Sequence, residues 1–189
     1  MQNIIKKITV AACSIMPLMA YAHPGHHHDA SFWTGFSHPF TGLDHLVMVL
    51  AFGVLMWTAS KKWKTLGVIG LLGALVAGFA LGAQNVISVG IAEQGIIASL
   101  MVVAFALLSK SKYILPLAVM LLASFHGVAH GVELGAGGHV VQQVMGMITA
   151  MGIIYAGGLV LGLLIAKYVP HGKKIIATLT ALVAIIGLA

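Results

Sequence analysis

The sequence contains no arginine and only four acidic residues, and all ten of its basic residues are lysine. Charged residues make up 7% of its 189 positions, whereas 60% are hydrophobic; a soluble domain carries about 25% charged residues. A chain so poor in charge cannot cover a water-facing surface, so it reads as an integral membrane protein. Its formal net charge of +6 does not indicate a nucleic-acid partner. The lysines come in scattered twos and threes with no aromatic interleaving. Cysteine is nearly absent too: Cys13 is the sole one, and it precedes the expected cleavage point, so the mature chain has no disulfide and no thiolate metal site.

The opening segment places Lys6 and Lys7 before an apolar run that ends in Ala20-Tyr21-Ala22. That pattern is a secretory signal peptide cut after Ala22. Two other readings exist, a lipoprotein cleavage box at Val10–Cys13 and an uncleaved extra helix, but the apolar run before the box is too short for the first. With about 20 apolar residues needed to cross a bilayer, the mature chain divides into six spans, near 41–59, 66–83, 90–108, 113–132, 140–166 and 175–189. The expected fold is therefore an all-α membrane protein, with six transmembrane helices after a cleaved N-terminal signal peptide. Its parts are a signal peptide at 1–22, a periplasmic His-rich tail at 23–37 and a six-helix domain at 38–189.

Lysine sets the orientation. If His23 emerges in the periplasm, the connections after spans one, three and five face the cytoplasm. They hold Lys61, Lys62 and Lys64; Lys110 and Lys112; and Lys167, Lys173 and Lys174. The periplasmic connections hold none, as the positive-inside rule requires. This predicts a multi-pass protein of the bacterial inner membrane with a periplasmic mature N-terminus.

The acidic residues that do occur are Asp29, Asp44, Glu93 and Glu133, and the last three fall in or at the ends of predicted spans. A carboxylate at the centre of a membrane helix costs about 2.5–3.5 kcal/mol on insertion scales and marks a function. Asp44 and His45 lie six and seven positions after His38, in HPFTGLDH, where Pro39 suits a helix start. In span four, FHGVAHGVE places His126, His130 and Glu133 on one helical stripe. Gly127 and Gly131 follow the two histidines and would admit a neighbouring helix. With the lysine topology applied, His38, Asp44, His45, His126, His130, Glu133 and Glu93 all sit toward the periplasmic side, at one depth.

Single buried histidines often do no more than hydrogen-bond helices together. Two clusters converging at one depth, with carboxylates and no thiolate, fit a divalent first-row ion or proton handling better. An ion also neutralises the carboxylates and satisfies the nitrogens, offsetting their burial. The tail adds His23, His26, His27 and His28, a tract that reads either as a metal collector or as a flexible polar tail. Methionines such as Met48 are more often gap-fillers than copper ligands. Gln142 and Gln143 could add polar lining at the start of span five. His139 and His171 read as loop residues.

These two motifs resemble the HupE/UreJ family of nickel and cobalt permeases, which are hydrogenase or urease accessory proteins. The resemblance rests on His38 with Asp44-His45, and on the run Phe125 to Glu133; Glu93 in IAEQGIIAS also resembles a family position. It spans the mature chain and includes the signal and six spans. It implies secondary uptake of Ni²⁺ or Co²⁺ as substrate, with no tightly bound cofactor. The ion would then serve metalloenzyme maturation for hydrogenase, urease or cobalamin synthesis. Spacing alone reaches only a periplasm-facing divalent metal site in a six-helix bundle. The expected partners are thus a metal ion and the lipid bilayer, with a homo-oligomer left open. The rivals are an intramembrane zinc hydrolase with Glu133 as general base and a metal sensor or accessory membrane subunit. The hydrolase offers no obvious substrate pocket and leaves the His-rich tract unexplained; the sensor lacks a soluble output domain.

Overall fold

The computed structural model of the chain describes residues 32–135 and 139–188. The expected signal peptide and the histidine tract at 23–28 lie outside the described residues. Within them the chain is helical, with no strand. Aromatic residues open it: Phe32, Trp33, Phe36 and Phe40 stack along α1 (Phe32–Thr41), with neighbouring ring centroids 5.5–6.0 Å apart. Positions 32–37, expected in the tail, are therefore helix. Pro39, expected to start span one, lies inside α1 instead. The chain turns at Gly42, which has φ −85° and ψ 110°, and the next helix leaves at 79°.

That helix, α2 (Leu43–Met56), is apolar beyond Asp44 and His45 in its first turn, and most of its residues are buried, as suits a central helix. The other helices pack around it. Ser60 and Ser88 cap α3 (Lys61–Ala83) and α4 (Val89–Leu108) by accepting the N–H of Trp63 at 3.4 Å and of Ile91 at 3.5 Å. Span four is one 21-residue stretch broken at Ala123 into α5 (Ile114–Leu122) and α6 (Ser124–Leu134). There the N–H of His126 reaches back only three residues, to the Ala123 carbonyl, tightening the turn that enters the histidine stripe. The long α7 (Val140–Tyr168) and the short α8 (Gly172–Ile186) complete the bundle.

Four stretches are long and apolar enough to cross a bilayer: Lys61–Ala83, Val89–Leu108, Ile114–Leu134 and Val140–Tyr168. A fifth exists if the bent α1–α2 pair is one broken span. The chain is thus a multi-pass membrane protein with four or five such helices where six were expected. The difference has a length cause. At 1.5 Å per residue, α2 alone reaches about 21 Å and the 15-residue α8 about 22 Å, short of the roughly 30 Å hydrocarbon core. Unlike a soluble protein, the bundle is apolar on its outer surface as well as in its core, and a few polar groups are buried within that core. Ile69, Phe105 and Leu121 are 60%, 63% and 73% exposed, whereas His126 is wholly buried.

Glycine sets how closely the helices approach. A Cβ at Gly127 or Gly131 of α6 would collide with the backbone carbonyls of Leu75 and Phe79 on α3, and Gly78 and Gly82 of α3 meet Ser124 and Val128 in the same way. Gly35 and Gly146 join α1 to α7 by backbone contact, as Gly53 and Gly158 join α2 to α7. Lipid tails are as apolar as leucine, so such close van der Waals contact is a main force holding membrane helices together. One substitution should therefore change sign with position. Gly127→Ala is expected to destabilise by about 1–3 kcal/mol through overpacking. Gly73→Ala, with nothing within 4 Å of its Cβ, should be neutral or stabilising by about 0.5–1 kcal/mol. Melting temperatures of the two variants in one detergent would check this.

Candidate metal centre

The bend at Gly42 and the glycine contacts of α6 bring the two motifs together. His45, in the first turn of α2, sits between two successive turns of α6, its ring centroid 4.5 Å from that of His126 and 4.6 Å from that of His130. His38, from the end of α1, closes over His130 edge-on at 4.4 Å and lies 5.9 Å from His45. The Nε2 atoms of His45 and His130 are 2.6 Å apart and share one hydrogen between them. Asp44 Oδ1 lies 3.0 Å from His45 Nδ1, a charge contact not aligned as a hydrogen bond. Glu133 Oε2 stands 3.9 Å from His130 Nδ1, with its side chain 64% exposed toward the opening. Gly42 keeps this space clear: a Cβ there would press within 2.9 Å of His45 Nδ1 and 3.1 Å of Asp44 Oδ1.

Two overlapping sets of ligand atoms result. His38, His45 and His130 form one, and Asp44, His45 and His126 the other; within each, the ligand atoms lie within 4.8 Å of one another. His45 belongs to both. The Nδ1 atoms of His45, His126 and His130 are buried without a hydrogen-bond partner among the described residues. Buried polar atoms are nearly always partnered, so three orphaned nitrogens in one cluster suit a ligand. In the His45–His130 pair the ring whose Nε2 accepts carries its hydrogen on Nδ1, so that nitrogen must lose a proton before its lone pair can be used. The donor set is imidazole with carboxylate and no sulfur, which fits zinc, nickel, cobalt, copper or iron as a divalent ion.

One participant went unread in the sequence. Ser99 of α4 is fully buried and its Oγ lies 3.0 Å from His126 Nε2. That hydroxyl donates to the Ile96 carbonyl at 2.6 Å. Its single hydrogen is thus used, so it accepts from His126 Nε2–H. His126 must then be the Nε2–H tautomer, with its Nδ1 lone pair free toward Asp44 and His45. A hydrogen bond to one ring nitrogen that frees the other is how metal-binding histidines are usually oriented. A serine in an apolar span, seven positions after Ala92 on the buried face of α4, was the available signal.

Glu93 is not brought into the site. It is exposed on α4 and belongs to neither ligand set. The six positions separating it from Ser99 place the two about 120° apart around the helix. Gln143 is buried at the start of α7 with an unpartnered Oε1, while Gln142 Oε1 pairs with His139 Nδ1 at 2.9 Å. Met48 is wholly buried among core residues. The glycines beside the histidines do admit a second helix, but it is α3, which supplies no ligand. They press α6 from behind and turn its imidazoles toward α2.

The family described as HupE / UreJ protein matches residues 11–189. The chain belongs to the HupE/UreJ family. A relative within it, Protein HupE of Rhizobium leguminosarum bv. viciae, is 27% identical over 189 residues, covering 97% of this chain and 96% of that protein. No solved structure matches. If an ion binds at this family member's histidine cluster, Ser99→Ala should weaken Co²⁺ binding to the purified protein about 10–100-fold. Ser99→Thr, which keeps the hydroxyl, should bind close to wild type. Equilibrium dialysis of the three proteins decides between a tautomer lock and a spectator serine.

Proposed function

We propose that the chain is a secondary transporter that carries Ni²⁺ or Co²⁺ from the periplasm across the inner membrane to the cytoplasm. The observation that supports this most is His45 standing in both ligand sets. A single resident ion needs one set. Two sets with a common member suit an ion in transit, because His45 turns Nε2 to His130 and Nδ1 to Asp44 and so offers an ion one nitrogen on each side of its ring.

The path runs inward from Glu133, the most exposed member, which meets the hydrated ion at the mouth with half-buried His38. His130 and His45 take it next, and the hydrogen between their Nε2 atoms must leave as metal–nitrogen bonds form. Asp44 and fully buried His126 then receive it. Multiple weak stations favour release over storage, as passage requires. The histidine tract at 23–28 concentrates the ion outside. Six spans after a cleaved signal, with the lysine-bearing ends in the cytoplasm, complete this reading. Family membership supports it, since the family is associated with nickel and cobalt uptake, and it points to supply of hydrogenase, urease or cobalamin synthesis. No observation favours a hydrolase, which would retain zinc tightly after purification.

His130→Ala or Asp44→Ala should abolish uptake of radioactive nickel and cobalt by cells while the protein stays in the membrane. Normal uptake by either variant would sink the assignment. Protons and metal compete for the same imidazole lone pairs, so lowering external pH through the ordinary histidine range should weaken apparent affinity, most visibly below about pH 6. Initial uptake rates at limiting metal across that range provide the check.

A further inference from the structure

The opposite end of the bundle holds a second polar site that the ion path does not use. The connections after α2 and α4 and the start of α8 enclose a cavity of about 640 Å³. Its polar lining includes Lys110, Lys112 and Lys173 with Ser60, Ser109 and Ser111. Leu55, Met56, Leu107 and Pro116 form an apolar wall. Along α2 the cavity begins 11 residues past Asp44, about 16 Å from the histidine cluster.

These six polar side chains all present hydrogen. Each serine already accepts a backbone N–H: Ser60 from Trp63 at 3.4 Å, Ser109 from Ser111 at 3.0 Å and Ser111 from Leu115 at 3.3 Å. A hydroxyl that accepts still has its own hydrogen to donate, and no described residue takes those three. The lysines have no ion pair, hydrogen bond or ring contact among the described residues, whereas Lys64 and Lys167 lie over the rings of Trp57 and Tyr168. Every described carboxylate belongs to Asp44, Glu93 or Glu133, which start α2, start α4 and end α6 at the other end. Topology alone accounts for lysines on this side. It does not require them to share a recess with serines whose hydrogens are free.

We propose that this cavity binds a phosphate-bearing anion. Lysine is a natural point-charge partner for phosphate, and hydroxyls complete its acceptor demand. The apolar wall suits the attached hydrocarbon of an anionic phospholipid, and basic pockets between membrane helices on the cytoplasmic side bind such headgroups. A free phosphate would use the same donors. Placing this end in the cytoplasm rests on the orientation proposed above; the binding chemistry does not.

The test is a melting-temperature titration of the purified full chain in neutral detergent. One arm adds phosphatidylglycerol against phosphatidylcholine. The other adds inorganic phosphate against chloride at equal ionic strength. Saturable stabilisation by phosphatidylglycerol alone identifies a headgroup site, and by phosphate alone a soluble-anion site; either supports the proposal. In Lys110→Gln/Lys173→Gln the half-saturating concentration should rise about fivefold per lysine removed, roughly 30-fold together. Lys61→Gln/Lys62→Gln removes equal charge outside the cavity and should leave it within twofold. Ser109→Ala/Ser111→Ala, which keeps all charge, should weaken binding several-fold and covers the case in which the lysine variant does not fold. No saturable response to either probe, or equal loss in the two lysine pairs, overturns the proposal.

Discussion

Backbone-to-backbone contact between α3 and α6 is the constraint on which the histidine cluster depends. In lipid no hydrophobic force drives apolar helices together, so their separation is set by how closely the backbones can pack. Gly78, Gly82, Gly127 and Gly131 let α3 and α6 approach until a single added methyl would strike a carbonyl. With one face of α6 held there, the face about 100° away carries His126 and His130 toward α2. Gly53 and Gly158 hold α2 against α7, and His45 lies between the two imidazoles of α6. The ligands are thus positioned by residues that touch no ion.

The cluster keeps its polarity because its surroundings leave it incompletely satisfied. Fully partnered histidines would have no lone pair to offer. Ser99 removes one degree of freedom by holding the hydrogen of His126 on Nε2, and it can do so because its own hydrogen is committed to Ile96. The Nδ1 atoms of His45, His126 and His130 have no hydrogen-bond partner among the described residues. Buried unmet hydrogen-bonding capacity costs about 1–3 kcal/mol per group, and at a functional site that destabilisation becomes affinity for whatever completes it. The glycine contacts supply rigidity that such a site cannot supply for itself.

The sequence made the site's membership legible more than its facing. His38, Asp44, His45, His126, His130 and Glu133 announce themselves because ionisable groups are rare in membrane segments; the structure sets the first five in two ligand-sized groups and leaves Glu133 3.9 Å from His130, outside both. Glu93 announces itself equally and lies on the outer surface. Periodicity could not separate it from Ser99, because both faces of α4 are apolar: Phe105 looks out and Val103 looks in. In a soluble helix the polar face would have revealed the phase. The bend at Gly42 was equally hidden, since Pro39 suits a helix start and positions 23–37 read as a His-rich tail. Length in sequence likewise does not show that α2 and α8 are each shorter than the hydrocarbon core, so four or five long apolar stretches stand beside the six spans expected.

The two ends of the bundle carry opposite chemistry, and this asymmetry constrains how a cation can pass. The histidine end holds every described carboxylate and three ring nitrogens without a hydrogen-bond partner, a donor set suited to a divalent ion. At the other end, three lysines and three hydroxyl hydrogens surround a cavity with no described carboxylate to balance them. An ion leaving the imidazoles toward that end would meet rising positive potential, since the low dielectric between the ends screens charge weakly. An anion seated among Lys110, Lys112 and Lys173 would remove that barrier. Occupancy of the lysine cavity and release from His126 would then be linked through the field alone, with no moving part between them.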